Sequence, residues 1–148
     1  FVCEKIKEFY SYNLFKDKRG YNLTIPLNII PKEQFIVNNK KNVLRGIHLS
    51  PYGKLVTCIS GSIIDYVIDV EKCTFKKYII SSNTLKNQIY IPPNNGHLYI
   101  SLEDDTKLLY QLEGYYNPDT DKNINYLDKR FNLDIDNNIN YIISDKDK

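Results

Sequence analysis

The chain has 148 residues, of which 42% are hydrophobic and 26% are charged, and this composition predicts a globular protein with one domain over residues 1–148. The formal net charge is +2 and the basic residues are scattered among acidic ones, so no nucleic-acid partner is indicated. No apolar run approaches the roughly 20 residues of a membrane-spanning helix, and three cysteines without a C-x-x-C spacing predict reduced thiols in the cytoplasm.

In chain order, the sequence is a series of short β-type segments separated by turn-forming residues. Residues 3–10 are compatible with either a helical turn or a strand. Strands are predicted at residues 54–59, 64–70, 87–93, 97–102 and 107–116, with turns at 51–53, 61–62, 92–96 and 117–119. From residue 117 the chain is rich in Asn and Asp, so we expect loops that wrap the strands. The pattern indicates an all-β sandwich or barrel with little helix.

The alternation of apolar and polar residues is clearest in residues 64–70. One face of this predicted strand carries Ile64, Tyr66, Ile68 and Val70, and the other carries Asp65, Val67 and Asp69. We therefore expect the first face to be apolar and buried.

The sequence has two histidines, His48 and His97, and both lie beside predicted turns, where functional sites are often built. Surface or hydrogen-bonded histidines without a chemical role are an equally good interpretation. Arg45, His48 and Lys54 together would supply a base, a phosphate ligand and a cation for an oxyanion, or else form a solvated basic hairpin. Strict alternation places Arg45 and His48 on opposite faces, unless Gly46 permits a bulge or the strand ends before His48.

A metal site is less favoured than a metal-free one. Two histidines one residue apart on a strand would indicate metal binding, but Ser50 stands where the second would be. His48 and His97 with a carboxylate remain a possible ligand set. We predict no metal and no cofactor.

Residues 108–118 supply candidate tyrosines. Leu108, Tyr110 and Leu112 share a face, so Tyr110 is predicted to point inward among apolar neighbours. Tyr115 and Tyr116 are adjacent, so one of them is expected to face the same interior. Such a tyrosine either donates a proton or is a packing residue bonded to the backbone.

In order and spacing, these segments resemble the dTDP-4-dehydrorhamnose 3,5-epimerase family from about residue 15 to residue 147. The family's runs V-L-R-G-[LI]-H and G-K-L-V are intact at residues 43–48 and 53–56. Its D-x-R-G-[FY] is present at 17–21, its L-Y-K-x-x-x-Y-Y-x-P at 109–118 with Gln111 replacing Lys, and its L-S-x-K-D resembles 143–147.

The resemblance implies a cupin-type double-stranded β-helix, or jelly roll, with short peripheral helices or loops. It implies a homodimer in which strands of one subunit extend a sheet of the other. The implied reaction is epimerisation at C3 and/or C5 of a nucleotide-diphosphate 4-keto-6-deoxy sugar, as in the synthesis of the dTDP-L-rhamnose precursor. That reaction needs neither metal nor cofactor.

The resemblance also implies roles for individual residues. His48 matches the general base, Asp147 its carboxylate partner, Lys54 the cation facing the keto oxygen and Tyr110 the proton donor on the opposite face. Positions that bind the sugar or the diphosphate are matched by Arg19, Arg45, His97, Tyr116 and Asp65. These residue types suit the chemistry, because a histidine titrates near neutrality, at a pKa of about 6.5, and a lysine stabilises an enolate oxygen.

The chain departs from the family at two segments that contact the substrate. Residues 22–24 are Asn-Leu-Thr where the family has an aromatic residue and a Glu, and residues 94–99 replace the family's G-F-A-H-G-F. The nucleotide base is therefore left open. Alternatives on the same scaffold are a single-site epimerase, a heptose epimerase, a 3,4-ketoisomerase, a non-catalytic sugar-nucleotide-binding cupin and a metal-dependent cupin.

Overall fold

A computed structural model describes residues 14–25 and 27–148, so residues 3–10, whose structure the sequence left open, lie outside the described residues. The strands are β1 Leu14–Asp17, β2 Gly20–Leu23, β3 Glu33–Asn39, β4 Leu44–Leu49, β5 Lys54–Ser60, β6 Ser62–Asp69, β7 Thr74–Ser81, β8 Gln88–Ile91, β9 Gly96–Ser101, β10 Thr106–Leu112 and β11 Lys122–Asn123. One 3-10 helix, Asp145–Asp147, follows them. The single-domain assignment to residues 1–148 stays a prediction.

Two antiparallel sheets form the body of the fold. One has the strand order β3-β10-β5-β8 and the other β11-β4-β9-β6-β7, while β1 and β2 form a separate hairpin. Apart from the consecutive pair β6 and β7, neighbours within the large sheets are far apart in sequence, as expected when the chain passes repeatedly from one sheet to the other. The predicted all-β jelly roll is confirmed.

The core between the two sheets is built from the inward faces of six strands. Its buried members are Val56, Cys58, Ile63, Val67, Ile80, Ile89, Ile91, Tyr99 and Leu108. Strand β6 contributes Ile63 and Val67 to this core, while Tyr66 and Ile68 on its other face join a second core. The alternation predicted for residues 64–70 is therefore correct, and both faces of the strand are buried.

The second core lies on the outer face of the five-stranded sheet, where the segment after residue 117 covers it. Phe131 is buried there against Tyr66 and Ile68. The covering segment is tied to β4 by backbone hydrogen bonds in both directions between Ile47 and Ile124. This wrapping was predicted from the Asn/Asp-rich composition, and it brings the 3-10 helix beside β4.

A bulge in β4 resolves the question of which way Arg45 and His48 face. The pairing of β4 with β9 is irregular between Arg45 and His48. Gly46 lies inside this interval with φ +131°, and the Gly46–Ile47 peptide bond is cis. A Cβ at residue 46 would lie 2.5 Å from the carbonyl oxygen of His97. Both side chains consequently line one cavity, which is the outcome that the bulge hypothesis requires.

We expect Gly46→Ala to lower the free energy of unfolding by about 2–6 kcal/mol, from ~1–3 kcal/mol of backbone strain and ~1–3 kcal/mol of overpacking. Urea denaturation followed by circular dichroism measures this loss. Gly20→Ala is the matched control, because Gly20 has φ +138° but nothing within 4 Å of its added Cβ. Equal losses in the two variants would show that the close approach of β4 to β9 contributes nothing.

Candidate active site

A cavity of about 230 Å³ opens between the two large sheets. Six residues predicted from the sequence line it: Arg45, His48, Lys54, His97, Tyr110 and Tyr116. Asp147 and Asp65 lie behind the two histidines, each in contact with one of them. Eight of the nine predicted site residues are thus gathered around a single cavity.

His48 is held by a buried carboxylate from the far end of the chain. Its Nε2 lies 2.9 Å from Oδ1 of Asp147, whose side chain is 3% exposed, whereas the imidazole is 32% exposed. Asp147 also accepts hydrogen bonds from the side chain of Asn123 and from the backbone N–H of Gly46. With Nε2 protonated for Asp147, Nδ1 carries the lone pair that can accept a proton.

The environment of His48 favours its neutral form. Burial lowers the pKa of His48, and the positive charges of Lys54 and Lys146 lower it further. The hydrogen bond and negative charge of Asp147 act in the opposite direction but do not reverse the shift. At neutral pH the imidazole is therefore able to accept a proton, as a general base must.

Lys54 presents an ammonium group in the same cavity. Its side chain is nearly fully buried, and it donates no hydrogen bond to the residues that the structure describes. Burial lowers the pKa of Lys54 to about 8, while Asp121 and Asp65 oppose this shift. The group is still mainly charged at neutral pH and is suited to bind an anionic oxygen.

Deeper in the cavity, His97 forms a second pair with a carboxylate. Its Nε2 lies 2.7 Å from Oδ2 of Asp65, and the two side chains are 3% and 0% exposed. The hydroxyl of Tyr110 lies 3.4 Å from Nδ1 of His97. Tyr110 stacks on Phe35, and burial of its hydroxyl raises the pKa of Tyr110 well above its usual value. A contact of His97 with sugar or diphosphate stays a prediction.

Two polar residues of the site were missed in the sequence. Asn39 accepts hydrogen bonds from Arg45 Nε at 2.8 Å and from the Tyr99 hydroxyl at 3.0 Å. Asp121 accepts a hydrogen bond from the Tyr52 hydroxyl, and its Oδ1 is buried without a partner within the described structure. Both residues lie in polar segments that resemble ordinary loops, so no periodic signal marks them.

Two predicted residues lie at or beyond the edge of this site. Tyr116 lines the rim and is more than half exposed, so the expected inward-facing member of the Tyr115–Tyr116 pair only borders the interior. Arg19 lies at the exposed β1–β2 hairpin, bound to Asp17, and does not line the cavity of its own chain. Its role in substrate binding stays a prediction.

Within residues 14–25 and 27–148, no three His, Cys, Asp or Glu side chains come together in a way that could hold a metal ion. In the same part of the chain, no helix is long and apolar enough to cross a membrane. The metal-free assignment stays a prediction.

Comparison with known proteins identifies relatives along almost the whole chain. The family model for dTDP-4-dehydrorhamnose 3,5-epimerase matches residues 6–148. The enzyme of that name from Salmonella typhimurium is 31% identical over 134 residues, which cover 78% of this chain and 73% of the relative. The Escherichia coli K12 enzyme is 31% identical over 149 residues, covering 95% and 77%. The resemblance recognised in the sequence is confirmed.

A solved structure supports the same fold. The crystal structure of dTDP-6-deoxy-D-glucose-3,5-epimerase from Legionella pneumophila, in complex with dTDP-4-keto-L-rhamnose, superposes with a TM-score of 0.83. It is 23% identical, and the match covers 93% of this chain and 82% of that one. At this identity the similarity establishes the jelly-roll architecture.

The contacts of His48 predict opposite effects of two neighbouring substitutions on its titration. Asp147→Asn is expected to lower the pKa of His48 because it removes the negative charge that raises it. Lys146→Ala is expected to raise the pKa of His48 because it removes a positive charge that lowers it. Histidine NMR titration is simple in a chain with two histidines. Shifts in the same direction for both variants would contradict this account of the site.

Proposed function

The chain belongs to the dTDP-4-dehydrorhamnose 3,5-epimerase family, and from this premise we propose that it is an isomerase that epimerises a dTDP-4-keto-6-deoxy sugar. The observation that carries the proposal is the placement of His48–Asp147, Lys54 and Tyr110 around one cavity. The reaction removes a proton from the carbon beside the ketone and returns a proton to the opposite face. This occurs at C3, at C5 or at both.

In the proposed first step, His48 removes the proton from carbon. Its neutral form at pH 7 supplies the lone pair, and Asp147 stabilises the imidazolium that forms and fixes the ring. Asp147 itself is held by Asn123 and Gly46, so the geometry is in place before substrate binds. The partial exposure of His48 lets the captured proton exchange with water.

Lys54 would stabilise the enolate that this step creates. Negative charge develops on the keto oxygen, and a buried ammonium interacts with it more strongly than an exposed one would. The absence of a hydrogen bond from Lys54 to any described residue leaves its donors available for that oxygen.

Tyr110 would return the proton from the opposite side. His48 lies on β4 of the five-stranded sheet and Tyr110 on β10 of the four-stranded sheet. The two sheets enclose the cavity, so the base and the acid approach a bound sugar from different walls. Inversion of a carbon centre needs this arrangement, which supports the pairing of these two residues.

The remaining predicted residues would bind the substrate. Arg45 is anchored through Nε to Asn39 and lines the cavity, where a guanidinium is suited to bind phosphate oxygens. Tyr116 borders the entrance, where a nucleotide or sugar would pass. We retain Asp65 and His97 as residues that shape the inner end of the sugar site.

A homodimer with exchanged strands remains part of the proposal. Within the described residues, the β1–β2 hairpin pairs with neither large sheet, and Arg19 on it is exposed. A hairpin of two strands alone is marginally stable, so pairing with the sheet of a second subunit would stabilise it and place Arg19 at a shared surface. A monomeric mass in light scattering at micromolar concentration would contradict this.

The cytoplasm remains the proposed location. Cys58 and Cys73 are free thiols, and Cys3 lies outside the described residues. Free thiols are the usual state in a reducing compartment.

Solvent exchange tests the reaction. In deuterated water, a dTDP-4-keto-6-deoxy sugar is expected to gain deuterium at C3, C5 or both, and one or two labelled carbons distinguish a single-site from a double epimerase. His48→Asn should slow incorporation by about 10²–10⁴-fold because the general base is lost. Lys72→Ala, at the exposed β6–β7 turn, is the control and should exchange at the wild-type rate.

Two results would contradict the proposal. No exchange with dTDP-, UDP-, GDP- or CDP-linked 4-keto-6-deoxy sugars would exclude epimerisation. Tight binding of such a sugar without exchange would indicate a non-catalytic sugar-nucleotide-binding protein instead.

A further inference from the structure

The two histidines of the cavity are neighbours in the sheet but differ in their access to water. His48 on β4 pairs directly with His97 on β9. The imidazole of His48 is 32% exposed, whereas that of His97 is 3% exposed. A proton on His48 can pass to solvent, but a proton on His97 is shielded, so the two residues are suited to different tasks.

Asp65 is the charged group in direct contact with His97. The carboxylate of Asp65 is fully buried, and its Oδ1 has no hydrogen-bond partner within the described structure. The 2.7 Å contact requires a proton on Nε2 of His97, because a carboxylate is only an acceptor. A buried carboxylate is stabilised by a positive charge beside it, so Asp65 can compensate the charge of His97 when Nδ1 also carries a proton.

In the imidazolium form, Nδ1 also carries a proton, and this nitrogen faces the hydroxyl of Tyr110 at 3.4 Å. The hydroxyl then acts as the acceptor, which leaves its own proton free to point at a bound sugar. A chain of contacts therefore runs from Asp65 through His97 to the proposed acid.

Tyr110, the proposed acid, needs a proton donor beside it. After Tyr110 gives its proton to carbon, the phenolate lies in a buried environment near Asp65 and Tyr99, which raise the pKa of Tyr110 and so disfavour the anion. A sugar that fills the cavity separates the phenolate from water. A second inversion on the same bound sugar requires the hydroxyl to be restored.

We propose that His97 and Asp65 form a proton reserve that restores Tyr110 between successive protonations of the bound sugar, an inference that rests on the proposed function. The Tyr110 O–H bond breaks as the new C–H bond forms. The phenolate then takes the Nδ1 proton of the His97 imidazolium, which leaves neutral Tyr110 and neutral His97, with Nε2–H still donated to Asp65. After a second protonation, water restores both residues once the product has left.

Several other charged and titratable groups surround His97. Asp65 on β6 contacts His97 directly. The other titratable and charged side chains that line the same cavity are Arg45, His48, Tyr52, Lys54, Tyr99, Tyr110, Tyr116, Asp121, Lys122 and Lys146. Of all these groups, Asp65 is the carboxylate in direct contact with His97 and can compensate a positive charge on its ring.

The first arm of the test needs no substrate. Nitrogen-15 histidine NMR of the His48→Asn variant reports His97 alone, because the chain has two histidines. Both ring nitrogens should be protonated at about pH 7, and Asp65→Asn in the same background should convert His97 to the neutral form. A neutral His97 from about pH 5 to 7 with Asp65 intact would overturn the reserve, whether or not the protein proves to be an epimerase.

The second arm measures the two inversions separately by rapid quench in deuterated water. His97→Gln keeps a donor for Asp65 but cannot deliver a proton. The ratio of the second rate of incorporation to the first should fall by about tenfold or more relative to the wild type, because only the second inversion needs a restored Tyr110. A wild type that inverts only one carbon would also overturn the proposal, because water can restore Tyr110 after each product leaves.

Phe35→Leu is the matched control, because it removes the ring on which Tyr110 stacks and leaves His97 and Asp65 in place. It should slow both inversions by the same factor. The same uniform slowing in His97→Gln, or no slowing at all, would overturn the proposal. Should His97→Gln fail to fold by circular dichroism, Asp65→Asn carries the kinetic test with the same expected pattern.

Discussion

The site depends on the close approach of β4 to β9 at Gly46. No side chain fits there, since an added Cβ would collide with the backbone of His97 and Leu98. The bulge that this approach permits directs Arg45 and His48 into one cavity. The N–H of Gly46 also donates a hydrogen bond to Asp147. One residue without a side chain thus sets both the direction of the base and part of the support for its carboxylate.

The carboxylate reaches this place through the second core. The segment from β11 to the 3-10 helix has almost no regular structure, yet its apolar side chains pack on the outer face of the five-stranded sheet. Backbone bonds to Ile47 and Leu44 fix its register along β4. Because Asp147 lies at the end of this segment, hydrophobic burial on one face of the sheet orients an ionisable group that serves the other face.

The sequence predicts the buried strands well and the more exposed ones poorly, for a physical reason. Strands β5, β6, β8, β9 and β10 are buried, so their apolar residues produce a clear pattern. Strand β7 is an edge strand and carries Lys76 and Lys77 in its middle. Lysine on edge strands limits unwanted pairing and removes the apolar signal. Strand β3, also at an edge, was missed for a similar reason.

The site residues follow the same division. His48, Lys54 and Tyr110 belong to runs with recognisable motifs, and the structure brings all three around one cavity. Asn39 and Asp121 act through hydrogen bonds across the fold, between positions 6 to 69 residues apart in sequence. Contacts of this kind depend on how strands and loops meet in three dimensions, so they leave no periodicity in the sequence.

The depth of each ionisable group in the cavity accounts for its chemical character. His48, near the entrance, has a carboxylate partner and access to water, so it can take up and release protons. Among the described residues Lys54 has no ion-pair partner, which leaves its charge for a ligand, and burial lowers its pKa to about 8. His97 and Asp65 are almost fully buried, and Nδ1 of His97 faces the hydroxyl of Tyr110. The two histidines are cross-strand neighbours on the same sheet, yet they differ in their access to water, which suits the separate tasks proposed for them.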